Sequence, residues 1–392
     1  MLIHRIKLEN VLSFGPTAQE LEFNSLNVLI GPNGSGKSNL IEIIGLLQAA
    51  PKDLSTPIRE GGGIRDWIWQ GEPEALSAWV EVVVANPRGH HALRYALRFA
   101  ERSHRFELIE ERIANERPDP GHIEPYLYFE QQEGRAVLNY RDMGTGGVRR
   151  ELRPENIEAN QSILAQRKDP DLYPELTYLG NKLSQIHPYR EWSFGRYTQP
   201  RLPQKADLPN DFLAEDGKNL GLVLNQLKQS PKAKNKLLNA LRKLYEGIVD
   251  FNVSIQSGNV QVFLQEDNIT IPATRLSDGT LRYLCLLAIL CQPTPPPLVC
   301  IEEPELGLHP DILPGLAELL REASERCQLV VTTHSDVLVD ALTETPESVV
   351  ICEKEKGQTT LRRLDKDSIA HWLKSYRLGE LWSSGALGGN RW

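Results

Sequence analysis

The sequence predicts an α/β protein: a mixed, largely parallel core sheet, with an antiparallel β lobe and a helical insertion set between its two halves. Three observations carry this. The apolar run Leu26-Asn27-Val28-Leu29-Ile30 leads straight into a glycine-rich loop and then a helical stretch. From Leu276 the pattern alternates helix, strand, helix, strand, as in a parallel sheet whose crossovers are helices. Between these, from Ala78 to Tyr140, short alternating runs such as Trp79 to Val84 and Leu93 to Phe99 are separated by turn residues, which reads as antiparallel strands.

Taken in order, residues 1–50 read strand, turn, strand, loop, helix. Residues 155–250 read as mainly helical, interrupted by a proline-rich stretch from His187 to Pro209, and residues 251–271 carry two or three more strands. The expected division is 1–85 and 270–392 for the two parts of the core domain, with 86–269 as β lobe and insertion. No repeat is visible, and the prolines leave no heptad run for a coiled-coil arm.

A chain of 392 residues with a net charge of −8 buries a sizeable core and is not a globally basic nucleic-acid binder. The five cysteines have no C-x-x-C spacing and sit mostly in apolar runs, as reduced cytosolic thiols do. The start alternates like a strand without a signal-peptide core, and the longest apolar stretch, Leu281 to Cys291, is too short to span a bilayer. A cytoplasmic protein with no membrane contact is expected.

The loop Gly31-Pro32-Asn33-Gly34-Ser35-Gly36-Lys37-Ser38 is a complete G-x-x-x-x-G-K-S phosphate loop in the strand-loop-helix setting that its physics requires. Glycines let backbone N–H groups wrap phosphate oxygens, Lys37 can reach the β and γ phosphates, and the Ser38 hydroxyl can ligate Mg²⁺. The helix opening at Asn39 would point its dipole at the same anion. Asn33, Gly34, Ser35, Gly36, Lys37, Ser38 and Asn39 are the expected ATP-binding residues.

The run Leu298-Val299-Cys300-Ile301-Glu302-Glu303 is a buried strand ending in two carboxylates, a Walker B pattern. Glu302 is expected to orient the metal shell and Glu303 to act as the base for the attacking water. Solvation, or capping of the helix after Pro310, is the competing reading for Glu302, Glu303 and Glu305, but a buried strand rarely ends in two charges without use. The strand Gln328 to Thr333 delivers His334 to the C-terminal end of a parallel strand, where it would face the ligand crevice and donate to a γ-phosphate. Leu276-Ser277-Asp278-Gly279-Thr280 taken alone is an ordinary N-cap and turn.

Together these residues resemble the ABC-type ATPases of the SMC, Rad50, RecF and overcoming-lysogenization-defect group, and most closely the short stand-alone bacterial AAA-family ATPases with an SMC-like head. Ile6 to Gly15 looks like the first hairpin of that group, Gly62 to Gly71 like the lead into its β lobe, and Leu306-Gly307-Leu308-His309-Pro310 like its D-loop. The resemblance covers residues 1–85 and 270–350 well and 86–269 loosely. It implies an ABC-type head using ATP and Mg²⁺. Ser277 and Gly279 become signature residues that bind the γ-phosphate held by a second subunit, so that ATP gates a homodimer. It also implies a metal-side glutamine, for which Gln161 is preferred over Gln70. The chain departs from the group in carrying Glu302 where aspartate is usual and Asp278 within the signature. After Cys352 only Asp365 and Asp367 are aspartates, so the Toprim nuclease domain of the lysogenization-defect proteins is not expected.

The implied function is an ATPase whose ATP-gated dimerisation drives a conformational change, acting with a partner in bacterial DNA maintenance or anti-phage defence. The alternative is a slowly hydrolysing, ATP-locked sensor or scaffold for a separate effector protein, suggested by Asp278 and Glu302. Lys228, Lys232, Lys234, Lys236, Arg242 and Lys243 suggest one helix with a basic face that could contact DNA, although a solvated face is the commoner meaning of such a run. Trp372, Trp382 and Trp392 in the tail could anchor a partner or pack back onto the domain.

Overall fold

The structure is a computed structural model that describes residues 1–71, 74–132, 134–140, 148–152 and 158–389; Trp392 lies outside them. Strands β1 (Ile3–Glu9) and β2 (Gln19–Glu22) pair antiparallel, with Ile6 and Leu8 buried and Lys7 and Glu9 partly exposed. They do not join the phosphate-loop strand β3 (Leu26–Ile30). They form one end of an eight-stranded antiparallel sheet completed by β4 (Ser77–Val84), β5 (Leu93–Arg102), β6 (Arg105–Asn115), β7 (Leu127–Gln132), β8 (Arg135–Tyr140) and β9 (Val148–Leu152). Its order is β2-β1-β4-β5-β6-β7-β8-β9. The expected boundary at 85/86 therefore falls between two paired strands of a single sheet.

The core sheet has six strands. β3 lies between β16 (Gln328–Thr332) and β17 (Val349–Glu355); beyond β16 come β15 (Leu298–Glu302) and β10 (Ile186–Tyr189), and beyond β17 comes β18 (Gln358–Arg363). All neighbours are parallel except the β17–β18 hairpin. The sheet is thus mixed and largely parallel, as expected. Strand β10 was not anticipated: it lies at the start of the proline-rich break in the stretch read as mainly helical, and it extends the edge of the core sheet. Further strands, β11 (Gln204–Lys205), β12 (Ile248–Gln256), β13 (Asn259–Glu266) and β14 (Ile269–Pro272), form a small separate sheet.

The period-two alternation of strands assigns the two faces of the core sheet to two different apolar clusters. Val28, Ile30, Val299, Ile301, Leu329 and Val331 pack with the helices α6 (Leu220–Lys228), α7 (Pro231–Leu244), α8 (Asp278–Leu290) and α9 (Leu313–Ser324). Leu29, Leu298, Cys300, Val330, Val350 and Cys352 pack with helix α1 (Lys37–Ala49) and the β lobe. The buried Gln328 side chain ties core sheet to lobe. Its Oε1 accepts from the backbone N–H of Leu2 (3.1 Å) and Ile3 (2.8 Å), and its Nε2 donates to Ile3 O (2.7 Å). All five cysteines are buried and unpaired. Among the described residues no helix is long and apolar enough to cross a membrane.

The single basic helix expected over Gln226–Leu244 is two. Helix α6 stops at Lys228, and Ser230 caps α7 with Pro231 in its first turn, where a missing N–H costs nothing. The cations are also largely engaged. Lys228 donates to Asn252 Oδ1 (2.6 Å), Lys234 pairs with Asp250 (3.1 Å), Lys236 with Glu322 (2.5 Å) and Lys243 with Glu318 (3.0 Å). Arg242 donates to the carbonyls of Ile248 and Val249. Only Lys232, among these six, has no such partner, so no free basic stripe results.

A buried acid joins the β lobe to the short helix α4 (Ile163–Gln166). The Glu111 carboxylate accepts from Tyr95 Oη (2.9 Å), from the Ile163 backbone N–H (2.8 Å) and from the Ser162 hydroxyl. Burial outweighs these donors and pushes its pKa to about 7 from an ordinary 4.5. The folded state therefore keeps a proton that the unfolded chain loses above pH 4.5. The stabilisation is full below that value and fades as pH rises through 7, a swing on the order of 3 kcal/mol. In Glu111→Gln this dependence should vanish: melting scans should show the wild type losing ground to the variant between pH 5 and pH 8. A difference in melting temperature that stays constant with pH would contradict this.

Candidate active site

Strand β3 ends at Ile30, and the loop after it needs glycine for steric reasons. Gly31 sits at φ +149°, and a Cβ there would stand 2.2 Å from the Cys352 carbonyl oxygen. Gly36, at φ +99°, precedes α1, and a Cβ would meet Thr359 Oγ1 at 2.2 Å. The Thr359 hydroxyl, on β18, donates to Ser35 O (2.9 Å) and hydrogen-bonds the Ser13 hydroxyl (2.7 Å), while Asn39 donates to Ser13 Oγ (2.7 Å). The loop is thus braced by the first hairpin and by the last core strand. Lys37 curls back over it, with Nζ donating to Gly31 O (2.8 Å) and Pro32 O (3.0 Å). Burial lowers its pKa, opposed by the fields of Cys352, Glu303 and Glu305. Ser35 Oγ is buried with no partner.

Strand β15 delivers the two carboxylates. The Ser38 hydroxyl lies near enough to Glu302 to help keep its carboxyl ionised, which brings the two expected metal ligands together. Glu302 is largely buried, and burial raises its pKa against the opposing pull of Arg190 and Ser38. Glu303 lies just past the strand at φ +43°, a strained setting for a residue with a Cβ. Its N–H donates to Thr332 O (3.1 Å) and Oγ1 (3.2 Å), and its carbonyl accepts from Arg282 Nη1 (2.9 Å). Its carboxylate stands 3.7 Å from His334 Nε2. Burial, then the nearby Lys37 charge, lowers the His334 pKa, so the ring is neutral at pH 7 and keeps one N–H to donate.

Glu305, considered from sequence only as a solvated or capping residue, braces this edge. Its Oε1 accepts from Thr333 Oγ1 (2.7 Å) and from the His334 backbone N–H (2.7 Å); its Oε2 is buried without a partner. Burial raises its pKa. The glutamate two places after a Walker B pair was visible in the sequence, but its bond to the end of the neighbouring strand was not.

The signature segment is an N-cap, as its sequence alone implied: Ser277 Oγ accepts from Thr280 N–H (3.0 Å) at the head of α8. A Cβ on Gly279 would lie 2.4 Å from Gly307 O, so this helix start is pressed against the expected D-loop turn of the same chain. Asp278, expected to bear on a γ-phosphate, is engaged by Arg201 (2.5 Å). The same buried guanidinium donates to the carbonyls of Leu276 (2.5 Å) and Phe194 (3.1 Å). Neither Arg201 nor Arg282 carried a signal in the sequence.

Gln161 is not brought to the metal ligands: it precedes Ser162 of the Glu111 cluster, and its carbonyl accepts from Gln166 (2.9 Å). Among the described residues no hydrogen bond joins it to Ser38 or Glu302. Gln70 donates to Arg65 O (2.9 Å). The side chain that does reach Glu302 is Arg190, whose Nε lies 3.5 Å from its Oε1.

The arrangement can hold a nucleoside triphosphate. A glycine cradle, a lysine bound only to carbonyls, an orphaned serine hydroxyl and a serine–glutamate pair fit phosphates and a hard divalent cation, which prefers oxygen ligands.

Comparison with known proteins agrees. Residues 26–340 match the family described as "AAA domain, putative AbiEii toxin, Type IV TA system". No curated protein matches the chain. Among solved structures, an SMC head bound to the C-winged helix domain of ScpA is 14% identical with a TM-score of 0.58, covering 93% of this chain and 99% of that one. A second SMC head, with an extended coiled coil and the C-terminal domain of ScpA, derived from Pyrococcus furiosus, is 14% identical with a TM-score of 0.57, covering 95% and 98%. A third, from Pyrococcus yayanosii, is 12% identical with a TM-score of 0.51, covering 95% and 99%. At these identities the likeness shows the fold.

Glu305 gives a test of the site. Glu305→Ala should leave ATP affinity within about threefold but cut turnover by roughly tenfold to a hundredfold, the usual cost of losing a partner that orients a reacting group. Glu305→Gln, which keeps an acceptor for Thr333 and His334, should retain most activity. Equal losses in both variants, measured by phosphate release, would assign the effect to charge rather than position.

Proposed function

The chain belongs to this AAA-domain family and is an ATPase with an SMC-like head; from that premise we propose that ATP binding closes two copies into a dimer and that hydrolysis reopens them. The observation that carries the reading is the meeting of Lys37, Ser38, Glu302, Glu303 and His334 at the C-terminal ends of the adjacent parallel strands β3, β16 and β15.

In this reading, the N–H groups of the loop from Asn33 to Asn39 bind the phosphates, and Lys37 leaves the carbonyls of Gly31 and Pro32 to reach them. Ser38 and Glu302 hold Mg²⁺, which when bound screens the β and γ phosphate charge. Glu303 orients and deprotonates the attacking water. Neutral His334 donates its N–H to a γ-phosphate oxygen while Glu305 fixes its backbone. Gln161 has no part in this set. Ser277 and Gly279, at the exposed head of α8, meet the γ-phosphate held by the second copy, with the half-exposed Leu306 on the adjoining turn.

The output is movement of the β lobe and insertion, passed to a partner in bacterial DNA maintenance or anti-phage defence. DNA bound through the α6–α7 cations would have to draw five of the six away from groups they already hold. Asp278, one of the two reasons for expecting a slow ATP-locked scaffold, is neutralised within its own chain by Arg201.

Light scattering on size-exclusion peaks tests the dimer. Wild type without nucleotide and Lys37→Ala with or without ATP should run as monomers. Glu303→Gln with ATP and Mg²⁺ should run as a dimer and turn over at least about a hundredfold more slowly, as expected for loss of a positioned base. Ser277→Arg placed in the Glu303→Gln background should bind ATP yet remain monomeric. A Glu303→Gln protein that stays monomeric while saturated with ATP would refute the dimer, and full turnover in that variant would refute the base.

A further inference from the structure

The stretch that leaves the edge strand β10 touches in turn Glu302, the arginine that holds Glu303, and the head of α8. Arg190 comes first. Its Nη2 donates to Glu42 Oε2 on α1 at 3.4 Å, and its Nε lies 3.5 Å from Glu302 Oε1, within ion-pair reach but outside hydrogen-bond geometry. Both atoms of that second contact are buried, and neither has a hydrogen-bond partner. Trp192 and Phe194 follow, with ring centres 5.6 and 5.5 Å from the guanidinium of Arg282, the side chain that holds the Glu303 carbonyl. Arg201 closes the stretch on Asp278 and on the Leu276 carbonyl at the head of α8. One irregular segment therefore connects the metal-side carboxylate to the signature helix.

The Arg190 contact is an incomplete one. Two oppositely charged groups whose facing atoms are desolvated but stop short of a hydrogen bond recover only part of the cost of burying those atoms. Glu302 has a second partner, Ser38, and that pair suits a divalent cation. Arg190 has somewhere else to go: it borders a cleft also lined by Glu42, Glu60, Glu191 and Glu215, which offers the guanidinium both space and counter-charge.

We propose that Arg190 is a positioning residue that stands in for the metal at Glu302, and that its departure when Mg²⁺ and nucleotide are bound moves the Arg190–Arg201 segment and so reports occupancy to the head of α8. This rests on the metal role of Glu302 given above. Arg190 then competes with Mg²⁺ for one carboxylate, and its removal makes the metal easier to bind.

The test is titration of MgCl₂ at fixed mant-AMPPNP, read by the fluorescence of the nucleotide at pH 8. In Arg190→Met the half-saturating Mg²⁺ concentration should fall by about fivefold, the scale of a partly buried ion pair. Arg190→Lys, which keeps the charge, should stay within about twofold of wild type by the same argument. An unchanged or raised Mg²⁺ requirement in a folded Arg190→Met would overturn the proposal. Glu302→Gln separates the two readings. If it raises the Mg²⁺ requirement while Arg190→Met does nothing, only the stand-in role fails; if it changes nothing, the metal role fails as well. Movement of the segment has its own readout. Adding Mg²⁺ and AMPPNP should change the tryptophan emission of the wild type, and Trp192→Phe should remove most of that change. An identical change in Trp192→Phe would mean that the segment stays still.

Discussion

The central strands of the core sheet, β3, β15 and β16, are buried on both faces, and that constraint decides where chemistry can occur. Along β3, β15 and β16 successive side chains enter one apolar cluster or the other, so a charged residue within a strand would face a desolvation cost with nothing to offset it. In these three strands charge appears only where they stop. Because β15, β16 and β3 are neighbours and parallel, with Glu302 level with Thr332 and Thr332 level with Leu29, their ends coincide. The phosphate loop, the carboxylate pair and the histidine are brought together by register before any of them interacts with another.

That shared edge is partly buried, and its groups are compensated unequally. Lys37 is satisfied by two carbonyls, contacts it can exchange for phosphate oxygens without leaving a buried charge bare. Glu305 uses one oxygen to hold Thr333 and His334 and leaves the other unpaired. Glu303 keeps a left-handed backbone because Thr332 and Arg282 grip its peptide from opposite sides. Its carboxylate stands beside His334, whereas that of Glu302 has Arg190 and Ser38 as neighbours. Two adjacent glutamates are thereby given different environments, which is what different roles at one strand end require.

The parts legible in the sequence are those whose physics is local. The phosphate loop is read from eight consecutive residues because glycine backbone freedom, a lysine and a helix start all act within them. Glu302, Glu303 and His334 are read because an apolar strand that ends in a polar group marks a sheet edge. What was not legible depends on contacts far apart in the chain. The pairing of β1 with β2 and β4, rather than with β3, is set by lobe packing. Strand β10 is four residues long, contains Pro188, and is recognisable only by its place beside β15. Arg190, Arg201 and Arg282 sit among ordinary arginines until the fold puts carboxylates and carbonyls in front of them. The break between α6 and α7 is a different case: Ser230-Pro231 is a helix-start signal in the sequence, outweighed in the reading by the spacing of the cations from Lys228 to Lys243.

Helix α8 shows why the head of the signature segment has so little freedom. Beyond its first turn nearly every residue is buried, including Leu281, Tyr283, Leu284 and the run from Cys285 to Leu290. The helix cannot slide or rotate without moving the core. What it offers to the surface is its N-terminal turn, where the Thr280 N–H is already taken by Ser277 and the backbone of Gly279 lies against Gly307. A change at the site can therefore reach this turn only through groups that hold its peptide directly. Arg201 holds the Leu276 carbonyl and Asp278, and Arg282, one turn into the helix, holds the Glu303 carbonyl. Both guanidiniums contact the backbone or rings of the segment that begins at Arg190. Besides the direct link from Glu303 through Arg282, a second physical connection between the metal-side carboxylate and the surface that would face a second copy thus runs through the irregular stretch after β10, outside the motifs by which such sites are recognised.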